Sequence, residues 1–221
     1  MSAELLQLIL NAALETLWMV AVSGGIAMAL GLPLGVFLAT SGRGELFAAP
    51  IANRLLGLVV NVTRSTPFII LVVAIIPFTR LVAGTSIGTN AAIVPLTVAA
   101  TPFIARLVET AIREVDPGLV EAARAIGARP LQIVTKVLIP EATPTIVLSM
   151  TLAIVSLIGF SAMVGAVGGG GLGDLGIRYG YQRFMPETMA IVVVVLVALV
   201  QAVQSTGERL ARRLNRRIRH A

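Results

Sequence analysis

Five long apolar stretches, near residues 16–40, 58–79, 91–107, 145–164 and 188–206, restrict what this chain can fold into more than any other feature. A helix rises 1.5 Å per residue and the hydrocarbon of a bilayer is about 30 Å thick, so each stretch is of spanning length. Backbone groups left unpaired in hydrocarbon are so costly that only helices and closed barrels cross it, and these stretches are too long for barrel strands. Composition agrees. With 57% hydrophobic and 13% charged residues among 221, and a mean hydropathy of +0.93, the chain has too little polar surface to coat a soluble body. The expectation is an all-α polytopic membrane protein with five transmembrane helices. The second stretch is the ambiguous one because it contains Arg64. Either that side chain snorkels to the interface, or the helix proper starts at Ser65 after an interfacial segment.

The sequence contains no cysteine, which excludes disulfides and thiolate metal sites. Residues 1–15 hold Glu4 and Glu15 but no Lys or Arg, unlike the basic start of a cleaved signal peptide, so the first apolar stretch is expected to stay in the mature protein. The net charge of +6 does not point to nucleic acid, because six of the seventeen basic residues crowd into 209–219, directly after an apolar run. Leu210, Leu214 and Ile218 recur between them at helical spacing, which suits a basic tail, 207–221, lying on an anionic lipid surface. Fourteen Lys and Arg fall in the segments around Arg43, Arg54, Arg64, 106–136 and the tail, against Arg80, Arg178 and Arg183 on the other side. The positive-inside rule then puts the amino terminus outside, the carboxyl terminus in the cytoplasm and the loop 108–144 on the cytoplasmic side.

That loop reads DPGLVEAARAIGARPLQIVTKVLIPEATP from Asp116. Asp116 followed by Pro117 is an N-cap with proline at the first helical position. Leu119, Ala122, Ala123 and Ile126 form a stripe at helical spacing, while Glu121 and Arg124 share another face. Gly127 can close the helix in a left-handed turn, and Pro130 then starts a second short helix, with Leu131, Val134 and Leu138 on one face, up to Pro140. Periodicity alone describes an amphipathic connector resting on the membrane.

The residues carry more than periodicity. Glu-Ala-Ala at 121–123, Gly127 four residues after the second Ala, and Val137, Ile139 and Pro140 at the end resemble the EAA motif of the permease subunits of ATP-binding-cassette (ABC) importers, with Val137 and Ile139 in place of Ile and Leu. The stretches NVTRSTPFIILVVAIIPFTR, GTSIGTNAAIVPLTVAATPFIARLVE and GFSAMVGAVGGGGLGDLG are similar to the methionine importer permeases in particular. Permeases for polar amino acids, phosphonates and osmoprotectants share EAA loops, so the wider match carries the substrate and the motif carries the family. The resemblance implies a type I permease fold over 12–206 in a bacterial inner membrane, a homodimer, two ATPase subunits and a periplasmic methionine-binding protein. It implies translocation of methionine, D, L or both, with ATP bound by the partner subunit and no catalytic, cofactor or metal residue on this chain. It also implies that Glu121, Ala122, Ala123, Arg124, Gly127 and Pro140 meet the ATPase. Small side chains allow a helix to seat deeply in a groove, and charged ones orient its rim.

Other signals weigh less. Gly168, Gly170 and Gly173 satisfy GxGxxG, but no strand precedes them and no Lys-Ser or Lys-Thr follows, so a nucleotide site is not expected. A tight re-entrant or extracellular turn at the outer mouth is. Glycines and prolines within the spans (Gly24, Gly25, Gly31, Pro33, Gly35, Pro67, Pro77, Pro95, Pro102) permit close helix packing or bends lining a passage. The lone His220 lacks any companion for catalysis, and the seven methionines are scattered as packing residues. An ion-coupled carrier would need ionisable groups at membrane depth, whereas Glu109 and Glu141 fall at span ends. Five spans are too few to enclose a pore alone, which favours a twofold dimer with the passage at its interface. Ser156, Ser161 and Met163 are the candidate lining, because their span joins the loop to the glycine-rich mouth.

Overall fold

The computed structural model describes residues 3–214, and every regular element among them is helical. In chain order these are α1 (Ala3–Thr40), α2 (Pro50–Ser65), α3 (Phe68–Ala74), α4 (Ile76–Ala83), α5 (Thr89–Arg113), α6 (Pro117–Ala125), α7 (Pro130–Ile133), α8 (Ile139–Gly165), α9 (Gly171–Leu175) and α10 (Pro186–Leu214). A π-helical stretch, Val134–Leu138, joins α7 to α8, and another, Gly176–Gln182, follows α9. Among the described residues four helical segments are long and apolar enough to cross a membrane, and a fifth if α2 and α3 are counted as one broken span. Arg216, Arg217, Ile218, Arg219 and His220 of the expected basic tail lie outside the described residues.

The single helix expected over 58–79 does not form. Thr66 is extended (φ −82°, ψ 125°), as the residue before a proline must be, and Pro67 has no N–H to continue the ladder. As a result α2 and α3 diverge by 106°. Nor does a helix start at Ser65: α2 runs through Arg64 and ends at Ser65, and the helix that enters the bundle starts at Phe68. Along α2, Ile51, Leu55, Leu58, Val59 and Val62 make an exposed apolar stripe, while Val60 is buried. Ile75 departs from helical dihedrals (φ −95°, ψ 12°) between α3 and α4, and α4 ends at Gly84 in the left-handed region (φ 74°).

The core forms where α1 crosses α5, with α8 against both; Met19, Leu96, Ile104, Val108 and Leu157 are almost fully buried there. Gly31 and Gly35 make the crossing close: a Cβ at Gly35 would stand 2.5 Å from the Ala105 carbonyl oxygen. This is the small-xxx-small contact by which helices approach in lipid, where van der Waals packing must substitute for a hydrophobic drive.

At the loop end of α5, Glu109 is buried and held by Arg106 Nη1 at 2.6 Å and Arg113 Nε at 3.1 Å. Arg106 also reaches Asn61 on α2, and Arg113 Nη2 donates to the Leu38 carbonyl at 3.3 Å. Asn53 Nδ2 donates to the same carbonyl at 2.8 Å. The last turn of α1, whose carbonyls lack intrahelical partners, is thereby capped from both α5 and α2. Glu109→Ala is expected to destabilise the chain by about 2 kcal/mol, below the 3–5 kcal/mol of a fully buried pair because both arginines reach solvent. Thermal unfolding in detergent measures it, and an unchanged midpoint would contradict the capping role.

Candidate coupling face and passage

Asp116 caps α6 as expected, its Oδ1 accepting from Gly118 N at 2.8 Å. The helix closes on Gly127 at φ 82°, with Gly127 N donating to Arg124 O at 2.9 Å and Ala128 N to Ala123 O at 3.0 Å. This closure needs a left-handed residue, and glycine adopts that conformation without a Cβ penalty. Pro130 starts α7, whose first amide, on Arg129, is satisfied by Gln132 Oε1 at 2.9 Å.

The expected stop at Pro140 does not occur. The chain runs continuously from α7 into α8 because the π-helical turn lets Ile139 N donate to Val134 O, and Pro140 then occupies the first turn of α8, where a missing N–H costs little. Pro140 therefore belongs to the root of α8.

The stripe expected on α6 splits. Ala123 is 8% exposed and packs inward with Val120 partly buried beside it, whereas Leu119, Ala122 and Ile126 project outward. Ile126 is 86% exposed and Leu131, on α7, 65%. They form a small exposed apolar knob bordered by Gly127, where an added Cβ would meet nothing within 4 Å. Glu121 and Arg124 are exposed, form none of the ion pairs found among the described residues, and line a groove of about 370 Å³ with Thr40, Arg43, Glu45 and Arg113. An apolar knob rimmed by uncommitted charges is suited to insertion into a cleft on another chain.

Of the candidate passage residues, Ser156 and Met163 share one side of α8, and Met163 is half-exposed. Ser161 is buried, its hydroxyl donating to Ile158 O at 2.7 Å, so it faces packed protein within this chain.

Beyond α8 the glycine run folds back into the bundle. Gly168, Gly170 and Gly171 have φ of 85°, 80° and 74°. Glu15 Oε2 accepts from Gly171 N at 2.7 Å and Thr16 Oγ1 from Leu172 N at 2.9 Å, while Gly88 N donates to Gly168 O at 2.9 Å. Leu172 and Leu175 are buried against Ile9, Ala12 and Val192. The amides of Gly171 and Leu172 are thus committed to α1, and the segment turns back onto the bundle. This clamp spans 156 residues of sequence and had no local signal.

The family model described as "Binding-protein-dependent transport system inner membrane component" matches residues 31–220. The probable D-methionine transport system permease protein MetI of Vibrio cholerae is 56% identical over 210 residues, covering 95% of this chain and 93% of that one. The corresponding protein of Pasteurella multocida is 46% identical, covering 98% and 100%, and the D-methionine permease MetI of Escherichia coli is 51% identical, covering 75% and 76%. A chain of the inward-facing MetNI methionine ABC transporter matches with a TM-score of 0.94 at 50% identity, covering 98% of this chain and all of that one. An amino acid ABC transporter crystallised with histidines has the same fold at 20% identity, with a TM-score of 0.76 over 94% of each chain. On these matches, the chain belongs to the family of binding-protein-dependent transport system inner membrane components.

Proposed function

We propose that this chain is the membrane-spanning permease subunit of an ABC importer for methionine in the bacterial inner membrane. The observation that carries this reading is near-full-length identity of 46–56% to D-methionine transport permeases, joined to a 0.94 structural match to MetNI. Two permease copies form the passage and two ATPase subunits drive it, with ATP bound on those subunits. A periplasmic methionine-binding protein supplies the substrate. The distribution of Lys and Arg supports a cytoplasmic position for α6 and α7.

The knob of Leu119, Ala122 and Ile126 seats in the ATPase, with Glu121, Arg124 and Gly127 at its border. α6 is tied to the bundle through α5 and the inward-facing Ala123, and α7 runs unbroken into α8. Movement of the docked helices is therefore transmitted to spans in the core. Nucleotide binding shifts the permease between inward- and outward-open states because the closed ATPase dimer has different affinities for the two. Reconstitution with its ATPase and binding protein in liposomes tests the reading. Methionine uptake is expected only with ATP, and uptake that instead follows a proton or sodium gradient without the ATPase would overturn it.

A further inference from the structure

The bend between α2 and α3 opens a cavity of about 340 Å³, at the lower end of the roughly 300–1,000 Å³ usual for small-molecule sites. Thr63, Arg64 and Thr66 line it from the bend, Phe68 from the start of α3, Phe103 from α5 and Phe160 from α8. Phe68 and Phe160 stack at 4.4 Å between centroids, and the Arg64 guanidinium lies 6.0 Å from the centre of the Phe103 ring. Arg64 takes part in none of the ion pairs among the described residues. The Arg64 side chain is exposed at this cavity, beside Phe103 and without a protein carboxylate, so its guanidinium donors are free to take an anion. Discontinuous helices are where transporters place their substrates, because the break frees backbone and polar groups from the ladder.

We propose that this cavity holds the amino acid in transit: Arg64 takes its carboxylate, the Thr63 and Thr66 hydroxyl oxygens its ammonium, and Phe68, Phe103 and Phe160 its side chain. The two hydroxyls donate to Val59 O at 2.9 Å and Val62 O at 3.1 Å, which leaves their lone pairs to accept from an ammonium. The last carbonyls of α2 add negative potential at the same end. A thioether is favoured against aromatic rings, sulfur being polarisable and the rings flat and unhydrated. The site rests on the methionine-importer reading and adds to it the residues that recognise the substrate on its way through the permease. Phe160 lies on α8 between Ser156 and Met163, so the cavity extends the passage lining expected from sequence.

The test uses the complete transporter in vesicles, a diazirine analogue of methionine for photolabelling, and methionine and methioninol, which lacks the carboxylate, as competitors. In the wild type, adducts should map to 63–71, 99–103 and Phe160, with methionine competing about tenfold or more better than methioninol, the scale of one charge-assisted hydrogen bond. In Arg64→Gln that preference should vanish, because the two competitors then meet the same neutral group. Phe103→Leu should weaken labelling while keeping the preference, and together with the wild-type map it decides the matter should Arg64→Gln fail to assemble. Adducts confined to other segments, or an Arg64→Gln complex that still distinguishes the competitors as the wild type does, would overturn the site while leaving the importer reading intact. Absence of ATP-driven methionine uptake in the wild type would overturn both.

Discussion

Gly35→Val should leave a chain that is destabilised beyond the usual overpacking cost of about 1–3 kcal/mol, with loss of assembled protein after extraction from the membrane. The new Cβ would stand 2.5 Å from the Ala105 carbonyl oxygen and 2.6 Å from the Val108 Cβ. A rotamer change cannot relieve the first of these contacts, because the obstacle is backbone, so α1 and α5 must separate. Gly31 meets the same helix, its added Cβ lying 2.7 Å from Ile104 Cγ2, so the two positions act as one seam. Ile104 and Val108 are fully buried in the core that the seam closes, and separation would open cavities beside both. Gly25, ten residues earlier on the same helix, supplies the comparison: nothing lies within 4 Å of its added Cβ, and Gly25→Ala should change stability by no more than about 0.5 kcal/mol. Thermal unfolding of the two variants in one detergent separates them. Equal midpoints would mean that the seam is not what holds α1 to α5.

The seam also shows what could be read from sequence. Clustered small residues in the first stretch pointed to close packing, but not to which glycines would touch a neighbour; Gly31 and Gly35 do and Gly25 does not, because that depends on the rotation of α1 about its axis. The short helices of the loop were legible because their signals are local: Asp116 caps its own helix and Gly127 terminates it within a few residues. Pro140 was misleading for the opposite reason. Its helix-breaking effect is cancelled by an upstream π-helical turn that propensity does not encode. The bend at Pro67 was half legible, since proline restricts the preceding residue, but the angle follows from packing of α3 on α5 and α8. The Glu15–Gly171 bond depends on partners brought together by tertiary structure, whereas Glu109 and its arginines lie on one helix at i, i+3 and i, i+4 spacing, and only the bonds of those arginines to Asn61 and Leu38 are tertiary. The stripe on α6 had the right period, yet Ala123 turned inward and left Leu119, Ala122 and Ile126 as the outward face.

That outward face yields the sharper test of the proposed ATPase contact. Ile126→Asp should sever coupling with little effect on the fold. At 86% exposure the side chain contributes almost nothing to the core, so the chain's own stability should change by no more than about 0.5 kcal/mol. In a seated complex the same position would be desolvated, and an unpaired carboxylate there should cost the 2 kcal/mol or more of an interface hot spot, which is roughly a thirtyfold loss of association. Gly127→Trp addresses the same contact less cleanly. Gly127 has φ 82°, where any side chain costs about 1–2 kcal/mol of backbone strain before a partner is met, so a loss of coupling could arise from a misfolded turn. Co-purification of the ATPase and ATP-driven uptake, measured side by side for Ile126→Asp, report the two consequences. Both should fall together while the unfolding midpoint holds. If the α6 knob instead rests on lipid, Ile126→Asp will retain its ATPase in the wild-type ratio and transport at the wild-type rate, and the docking assignment fails even though the family and the fold remain as described.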